Sequence, residues 1–142
     1  GMPSRLKRIG CSLLFLLSSS MAWAEVVVVV SIHNPLATLT RSELVDIYLG
    51  RTSRFPNGQP VTPLDQSESL PIYATFYREY LGHTPTQIKM HWSRLIFTGR
   101  GQPPRSLADP QAMADFVAEQ ANAIGYMNDA HIDERLRVVA ID

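Results

Sequence analysis

Cysteine is almost absent from this sequence. Its 142 residues include a single cysteine, Cys11, which lies in an apolar stretch near the start of the chain. Residues 25–142 contain none, so this part of the protein has neither a disulfide nor a thiolate for catalysis or metal binding. At about 118 residues it is long enough to bury a hydrophobic core as one domain.

Sequence patterns of common catalytic and metal sites are also missing. The chain has no HExxH or CxxC spacing, no P-loop, no GxGxxG fingerprint and no GxSxG elbow. Asp65 and Glu68 are close in sequence, but two carboxylates in a turn are weak evidence for acid–base catalysis. We therefore expect a protein that is not an enzyme, with no cofactor and no metal. The histidines are widely spaced, at His33, His83, His91 and His131.

Positive charge is scarce outside the first residues. The whole chain has a formal net charge of zero at pH 7, but Arg5, Lys7 and Arg8 supply three of its 13 basic side chains. Without them, ten basic side chains face 13 acidic ones. Such a mildly acidic domain is not expected to bind nucleic acid, which normally requires a basic patch.

The start of the chain has the composition of a secretory signal peptide. We exclude Gly1 as an expression scar. A basic start, an apolar run at 9–17 and the A-x-A pattern at 22–24 predict cleavage before Glu25 and export to the periplasm. The apolar run is shorter than the roughly 20 residues that a membrane span requires. We thus predict a scar plus signal peptide over 1–24 and a single domain over 25–142.

The segment from Thr38 to Leu81 carries the clearest local signals. Thr40 and Glu43 have the spacing of a helix capping box, and Leu39 and Leu44 that of a hydrophobic staple. Gly50 then provides the residue that can end the helix in a left-handed conformation. The sequence therefore predicts a helix between Thr40 and Gly50.

A candidate anion site follows in the same segment. Val61 to Leu64 is predicted as a short strand that leads through Asp65, Ser67 and Ser69 to the N-terminus of the next helix. Free backbone N–H groups and the helix dipole can bind an anion at such a point. The same pattern begins many ordinary helices, and serine capping without a ligand is the alternative.

A second anion-binding pattern lies at Gly99-Arg100-Gly101. Two glycines beside an arginine allow backbone amides and the guanidinium to approach one anion. The alternative is a surface loop that needs glycine only for its backbone dihedrals. Asp65, Ser67, Ser69 and Arg100 are therefore the candidate ligand-binding residues.

The remaining patterns predict an α/β fold. The continuous β-branched run Val26–Val30 predicts a strand buried on both faces. Alternating helical and strand signals give the order β, α, β, α, α, α, β, β, with about four strands in a mixed sheet flanked by helices. The other predicted elements are a helix over 70–81, a helix from Thr84 that buries Ile88, Trp92, Leu95 and Ile96, a helix from Asp109, and strands at 123–127 and 136–141.

Several segments together resemble one protein family. The run Asp46 to Arg51 (DIYLGR), with Phe55 before Pro-Asn-Gly, resembles the "IFLGK…W.dG" segment of phosphate ABC-transporter substrate-binding proteins. FYREYLG at 76–82, HWSRLIFTGRGQPP at 91–104 and AIGY at 123–126 are similar to the same group, especially to its short, exported, single-lobe relatives. The resemblance covers about residues 26 to 141.

The resemblance implies a fold like one lobe of a type 2 periplasmic binding protein. It implies a non-enzymatic domain that binds phosphate or another small oxyanion for ABC-type uptake or sensing, with an ABC transporter permease or another envelope protein as partner. Full-length members close two lobes around the ligand, so a homodimer could assemble the cleft from two copies. In the family's binding turn, Ser67 or Ser69 would replace the serine, and Glu68 would accept a proton from phosphate.

The resemblance also leaves an alternative open. The segment at 64–70 lacks the arginine and the Gly-Thr pair of the family's binding turn, and the second lobe is missing. The alternative is therefore a periplasmic protein-interaction module that has lost its ligand and docks onto an envelope protein.

Overall fold

The computed structural model of the protein describes residues 25–142. The predicted signal peptide lies outside this range. Within the described range, no helix combines the length and the hydrophobicity needed to cross a membrane.

A six-stranded mixed sheet forms the middle layer. Its order is β2-β6-β1-β5-β3-β4. β1 runs antiparallel to its neighbours β5 and β6, whereas every other neighbouring pair is parallel. The strands are β1 (Val26–Ser31), β2 (Thr38–Leu39), β3 (Thr62–Gln66), β4 (Arg105–Leu107), β5 (Ala123–Asn128) and β6 (Leu136–Ile141).

Helices cover both faces of this sheet. α1 to α3 pack on one face and α4 on the other, with a separate hydrophobic cluster on each side. Val28 and Val30 enter the first cluster and Val29 the second, which confirms that the β-branched run is buried on both faces. The helices are α1 (Arg41–Tyr48), α2 (Pro71–Phe76) with a π-helical turn (Tyr77–Leu81), α3 (Pro85–Phe97) and α4 (Pro110–Glu119); a 3₁₀ turn spans Asp129–His131.

The predicted helix starts are confirmed where they rest on capping boxes. Thr40 and Glu43 form both reciprocal bonds at α1. Thr84 and Gln87 do the same at α3. Gly50 follows α1 with a φ of 73°. These starts could be predicted because a capping box joins residues only three positions apart.

The predicted number of strands is wrong, and so is serine capping of the second helix, whereas the helical stretch itself is confirmed. The sheet has six strands rather than about four, because two- and three-residue strands at its edges are too short to show a periodicity. The predicted helix over 70–81 is α2 followed by the π-helical turn, and its N-cap is Leu70 with no side-chain hydrogen bond. Ser67 and Ser69 therefore do not cap it.

The prediction for α3 is partly wrong. Ile88 and Trp92 are its buried residues, whereas Ile96 is 53% exposed. The end of α3 is exposed, since Phe97 is 93% exposed as well. The predicted Leu95 is half-buried and packs against the same core cluster.

A buried carboxylate joins three elements at the end of β3. Asp65 is 5% exposed. Tyr77 Oη, from the π-helical turn, donates to Asp65 Oδ2 at 2.5 Å, and Tyr126 Oη, from β5, donates to Oδ1. The backbone N–H of Gln66 also donates to Oδ1, at 2.9 Å. Both carboxylate oxygens are therefore satisfied in the interior.

Burial is the largest influence on the pKa of Asp65. It raises the pKa of Asp65, and the hydrogen bonds from Tyr126, Tyr77 and the Gln66 amide lower it only in part. Burial and then the nearby charge of Asp65 raise the pKa of both Tyr77 and Tyr126. The two phenols therefore remain protonated and serve as donors.

We predict that Asp65→Asn changes the pH dependence of stability. Between the pKa of an unfolded aspartate, about 3.9, and the raised pKa of Asp65, the folded state binds more protons than the unfolded state. The contribution of Asp65 to stability is therefore largest in acid and is lost as the pH rises through the folded pKa. The free energy of unfolding of wild type, relative to that of Asp65→Asn, should therefore increase from neutral pH towards pH 4. The increase should be about 1.4 kcal/mol for each tenfold by which the folded state binds the Asp65 proton more tightly than the unfolded state.

Denaturant unfolding at a series of pH values measures this difference. Glu119→Gln, which removes an exposed carboxylate, is the control and should give a nearly constant difference. A difference between wild type and Asp65→Asn that is flat, or that shrinks in acid, would contradict the assignment.

Candidate functional site

A groove of about 290 Å³ lies between α3 and the β3–β4 edge of the sheet. Asp65 and Ser106 are register partners on β3 and β4, so their side chains leave the same face of the sheet. We call this cavity the edge groove; its lining residues are Asp65, Glu68, Tyr73, Ile88, Lys89, Trp92, Ser93, Ile96, Pro103, Pro104 and Ser106.

The fold itself produces this groove. β4 is a three-residue edge strand. α3 contributes the other side of the groove, and its buried residues Ile88 and Trp92 attach it to the core. The polar end of the groove lies where β3 leaves the sheet. Open α/β sheets bind ligands outside the carboxyl ends of their strands, so the edge groove has the expected position for a binding site.

The electrostatics of the edge groove combine one cation, two carboxylates and several hydroxyls. Burial raises the pKa of Tyr73 to about 12, with further contributions from the charges of Asp65 and Glu68, so Tyr73 keeps its proton. Lys89 supplies the positive charge. The oxygens of Asp65 are already bonded to tyrosines. Glu68 is therefore the carboxylate that can accept from a ligand.

Trp92 separates the edge groove from a neighbouring groove on the other side of Pro103 and Pro104. Its indole Nε1 is the buried side-chain nitrogen in the described residues that has no hydrogen-bond partner. A Cβ at Gly50 would lie 3.0 Å from Trp92 Cη2, so this glycine permits close packing of the ring. A buried donor without a partner costs about 1–3 kcal/mol.

The sequence-predicted site residues do not all meet. Asp65 lines the edge groove. The hydroxyls of Ser67 and Ser69 lie 2.8 Å apart in the turn before α2, on either side of Glu68 in sequence. Arg100 is exposed, donates from Nε to Thr98 Oγ1 at 3.1 Å, and does not line the groove.

The sequence did not predict four polar residues of this groove. Tyr73 is a buried member of the hydrophobic core that also lines the groove, and Ser106 lies on a strand too short to predict. Lys89 and Ser93 are four residues apart on α3, and Ser93 Oγ donates to the Lys89 carbonyl at 2.8 Å. Because residues four apart share one helix face, this spacing could have predicted a polar face on the side of α3 opposite His91.

No group of three or more histidine, cysteine, aspartate or glutamate side chains in residues 25–142 is arranged to hold a metal ion. The chemistry available in the edge groove is hydrogen bonding and charge pairing.

Comparison with known proteins gives matches among solved structures. No family model and no curated protein matches the sequence. The fold is similar to that of a structure with bound phosphate from Clostridium perfringens, described as a phosphate ABC transporter substrate-binding protein. The TM-score is 0.65 at 18% identity over 84% of this chain and 45% of that one.

Two further structures give the same result. PstS from Borrelia burgdorferi has a TM-score of 0.64 at 11% identity, over 84% of this chain and 47% of that one. An ABC-type phosphate transport receptor from Vibrio cholerae has a TM-score of 0.56 at 17% identity, over 83% and 46%. The chain spans less than half the length of each of these proteins. At these identities the likeness shows the fold, which is that of one lobe of a periplasmic binding protein, as the sequence resemblance implied.

Proposed function

We propose that the protein is an exported, non-enzymatic solute-binding lobe that takes a small oxyanion, with phosphate as the first candidate, for ABC-type uptake or sensing. The observation that carries this proposal is the edge groove, which combines the Lys89 ammonium, the protonated Tyr73 hydroxyl and the Glu68 carboxylate. The fold shared with phosphate-binding structures supports it.

Each of these groups has a distinct role in the proposal. Lys89 attracts the anion and donates a charge-assisted hydrogen bond, and Tyr73 donates a second bond. Glu68 accepts a hydrogen bond from the P–O–H group that hydrogen phosphate carries at neutral pH. Sulfate carries no such proton, so it would meet Glu68 as an unpaired like charge.

The residues predicted from the sequence extend the proposal. Ser67 and Ser69 flank Glu68 in the turn before α2, and we propose that their hydroxyls donate further hydrogen bonds to the anion. Arg100 lies on the loop that leads into Pro103 and Pro104, which form a wall of the groove. Asp65 holds the floor in place through its bonds to the tyrosines.

We predict that phosphate raises the melting temperature more than sulfate or chloride at matched ionic strength. A ligand at a hundred times its Kd adds about 2.7 kcal/mol of stability. Lys89→Gln should weaken phosphate binding by about three- to tenfold, because it removes an exposed charge contact. Glu68→Gln should reduce the preference for phosphate over sulfate.

Two exposed side chains of the π-helical turn provide matched controls. Arg78→Gln and Glu79→Gln remove the same charges away from the edge groove and should leave affinity and preference unchanged. Equal shifts with all three anions, or a Glu68→Gln variant that still discriminates fully, would count against the proposal.

A second candidate function is protein docking through the exposed end of α3. Phe97 is 93% exposed, Met90 57% and Ile96 53%. Ile96 also lines the edge groove. Because these exposed side chains are apolar and Ile96 reaches the groove, we propose a second copy of this chain as the occupant, which would cover the groove from its open side.

We predict concentration-dependent dimerisation, measured by analytical ultracentrifugation. Phe97→Ser should weaken the dimer by roughly tenfold or more, because burial of a phenylalanine side chain is worth about 1.5–3 kcal/mol. Ile32→Ser, which changes an exposed hydrophobic residue beyond β1, is the control. A monomer at every concentration would exclude a second copy, and an envelope protein such as a permease would then be the partner to test.

A further inference from the structure

A second groove with a different charge pattern lies on the opposite side of α3 from the edge groove. Its volume is also about 290 Å³. Side chains from the end of α1, the segment before α3 and α3 itself meet there. We call it the basic groove; its polar lining consists of Arg51, His83, Gln87, His91 and Arg94.

Hydrogen bonds to backbone carbonyls fix the orientation of both imidazoles. His91 Nε2 lies 2.9 Å from the Leu49 carbonyl oxygen, and His83 Nδ1 lies 2.6 Å from that of Leu81. A carbonyl oxygen only accepts, so each of these nitrogens carries a hydrogen. The remaining nitrogens, His91 Nδ1 and His83 Nε2, have no hydrogen-bond partner among residues 25–142. Each becomes a donor when its ring gains a second proton.

The amide of Gln87 is also oriented. Its Oε1 accepts from the Thr84 backbone N–H at 2.8 Å in the capping box of α3. The Nε2 group, with two donor hydrogens, is therefore the part of the side chain left for a ligand. The ring of His91 packs edge-on against Trp92 at 4.9 Å, which further limits its rotation.

Among residues 25–142, no carboxylate lines the basic groove. The charged side chains beside the two imidazoles are Arg51, which follows α1, and Arg94 on α3. Asp46 of α1 lies 3.6 Å from Arg51 Nη1 but lines a neighbouring groove. Arg78 and Glu79 of the π-helical turn are exposed and do not line the basic groove.

We propose that the basic groove binds a small, doubly charged oxyanion of the sulfate type, held by Arg51 and Arg94, and that protonation of His83 and His91 tightens binding. Two guanidinium groups suit an anion with several oxygens. Without a carboxylate, the groove does not require a proton on the ligand. It therefore differs in chemistry and in residues from the edge groove.

Inorganic sulfate is the probe, because it stays doubly charged throughout the range in which histidine titrates. NMR of the ring C–H resonances follows all four histidines of the chain. His83 and His91 should shift saturably with sulfate, whereas the exposed His33 and His131 serve as internal references. Because a second proton gives each of the His83 and His91 rings a further donor, sulfate should bind more tightly as the pH is lowered.

Charge-neutralising variants test the assignment of residues. Arg51→Gln and Arg94→Gln should each weaken sulfate binding by about three- to fivefold, as expected for exposed charge contacts. Arg78→Gln, the charge-matched control, should leave it unchanged. Three results would overturn the proposal. Chloride at equal ionic strength could reproduce the shifts, all four histidines could respond equally, or both arginine variants could keep full affinity.

The two binding proposals can fail separately. Phosphate binding in the edge groove depends on Lys89 and Glu68, whereas sulfate binding here depends on Arg51 and Arg94. Loss of sulfate binding in Lys89→Gln, with Arg51→Gln unaffected, would place both anions in the edge groove and would refute the basic groove.

Discussion

The structure around the edge groove depends on the buried carboxylate of Asp65. A carboxylate removed from water must find donors, because its desolvation is otherwise very costly. Tyr77 and Tyr126 provide them from the π-helical turn and from β5. Gln66 strengthens the same junction, since its Nε2 donates to the Tyr126 carbonyl at 2.7 Å. The end of β3 is thereby fixed to elements on both sides of it.

The two walls of the edge groove are attached to the core in different ways. The floor belongs to the hydrogen-bonded junction at Asp65, where Tyr126 also stacks on Phe76 at 3.8 Å between ring centroids. The opposite wall is α3, which Ile88 and Trp92 attach to the core. The edge groove thus lies between a wall held by buried hydrogen bonds and a wall held by apolar packing.

Local signals in the sequence predicted much of the fold but little of the site. The capping boxes of α1 and α3 and the β-branched run of β1 are short-range patterns, and they placed these elements correctly. Asp65 lies in a polar stretch that is typical of a solvent-exposed helix N-terminus. Its burial depends on Tyr77 and Tyr126, which are 12 and 61 residues away. β4 likewise exists only through its pairing with β3, so the groove wall at Ser106 could not be foreseen.

The two grooves share α3 as a common wall, and this sharing has a thermodynamic consequence. Lys89 and Ser93 face the edge groove, whereas His91 and Arg94 face the basic groove on the opposite side of the helix. If an anion bound in one groove shifts α3, it also moves the α3 side chains that line the other groove. The coupling must then be equal in both directions, because linkage between two binding free energies is reciprocal. The shared helix α3 is therefore the element through which such coupling can act.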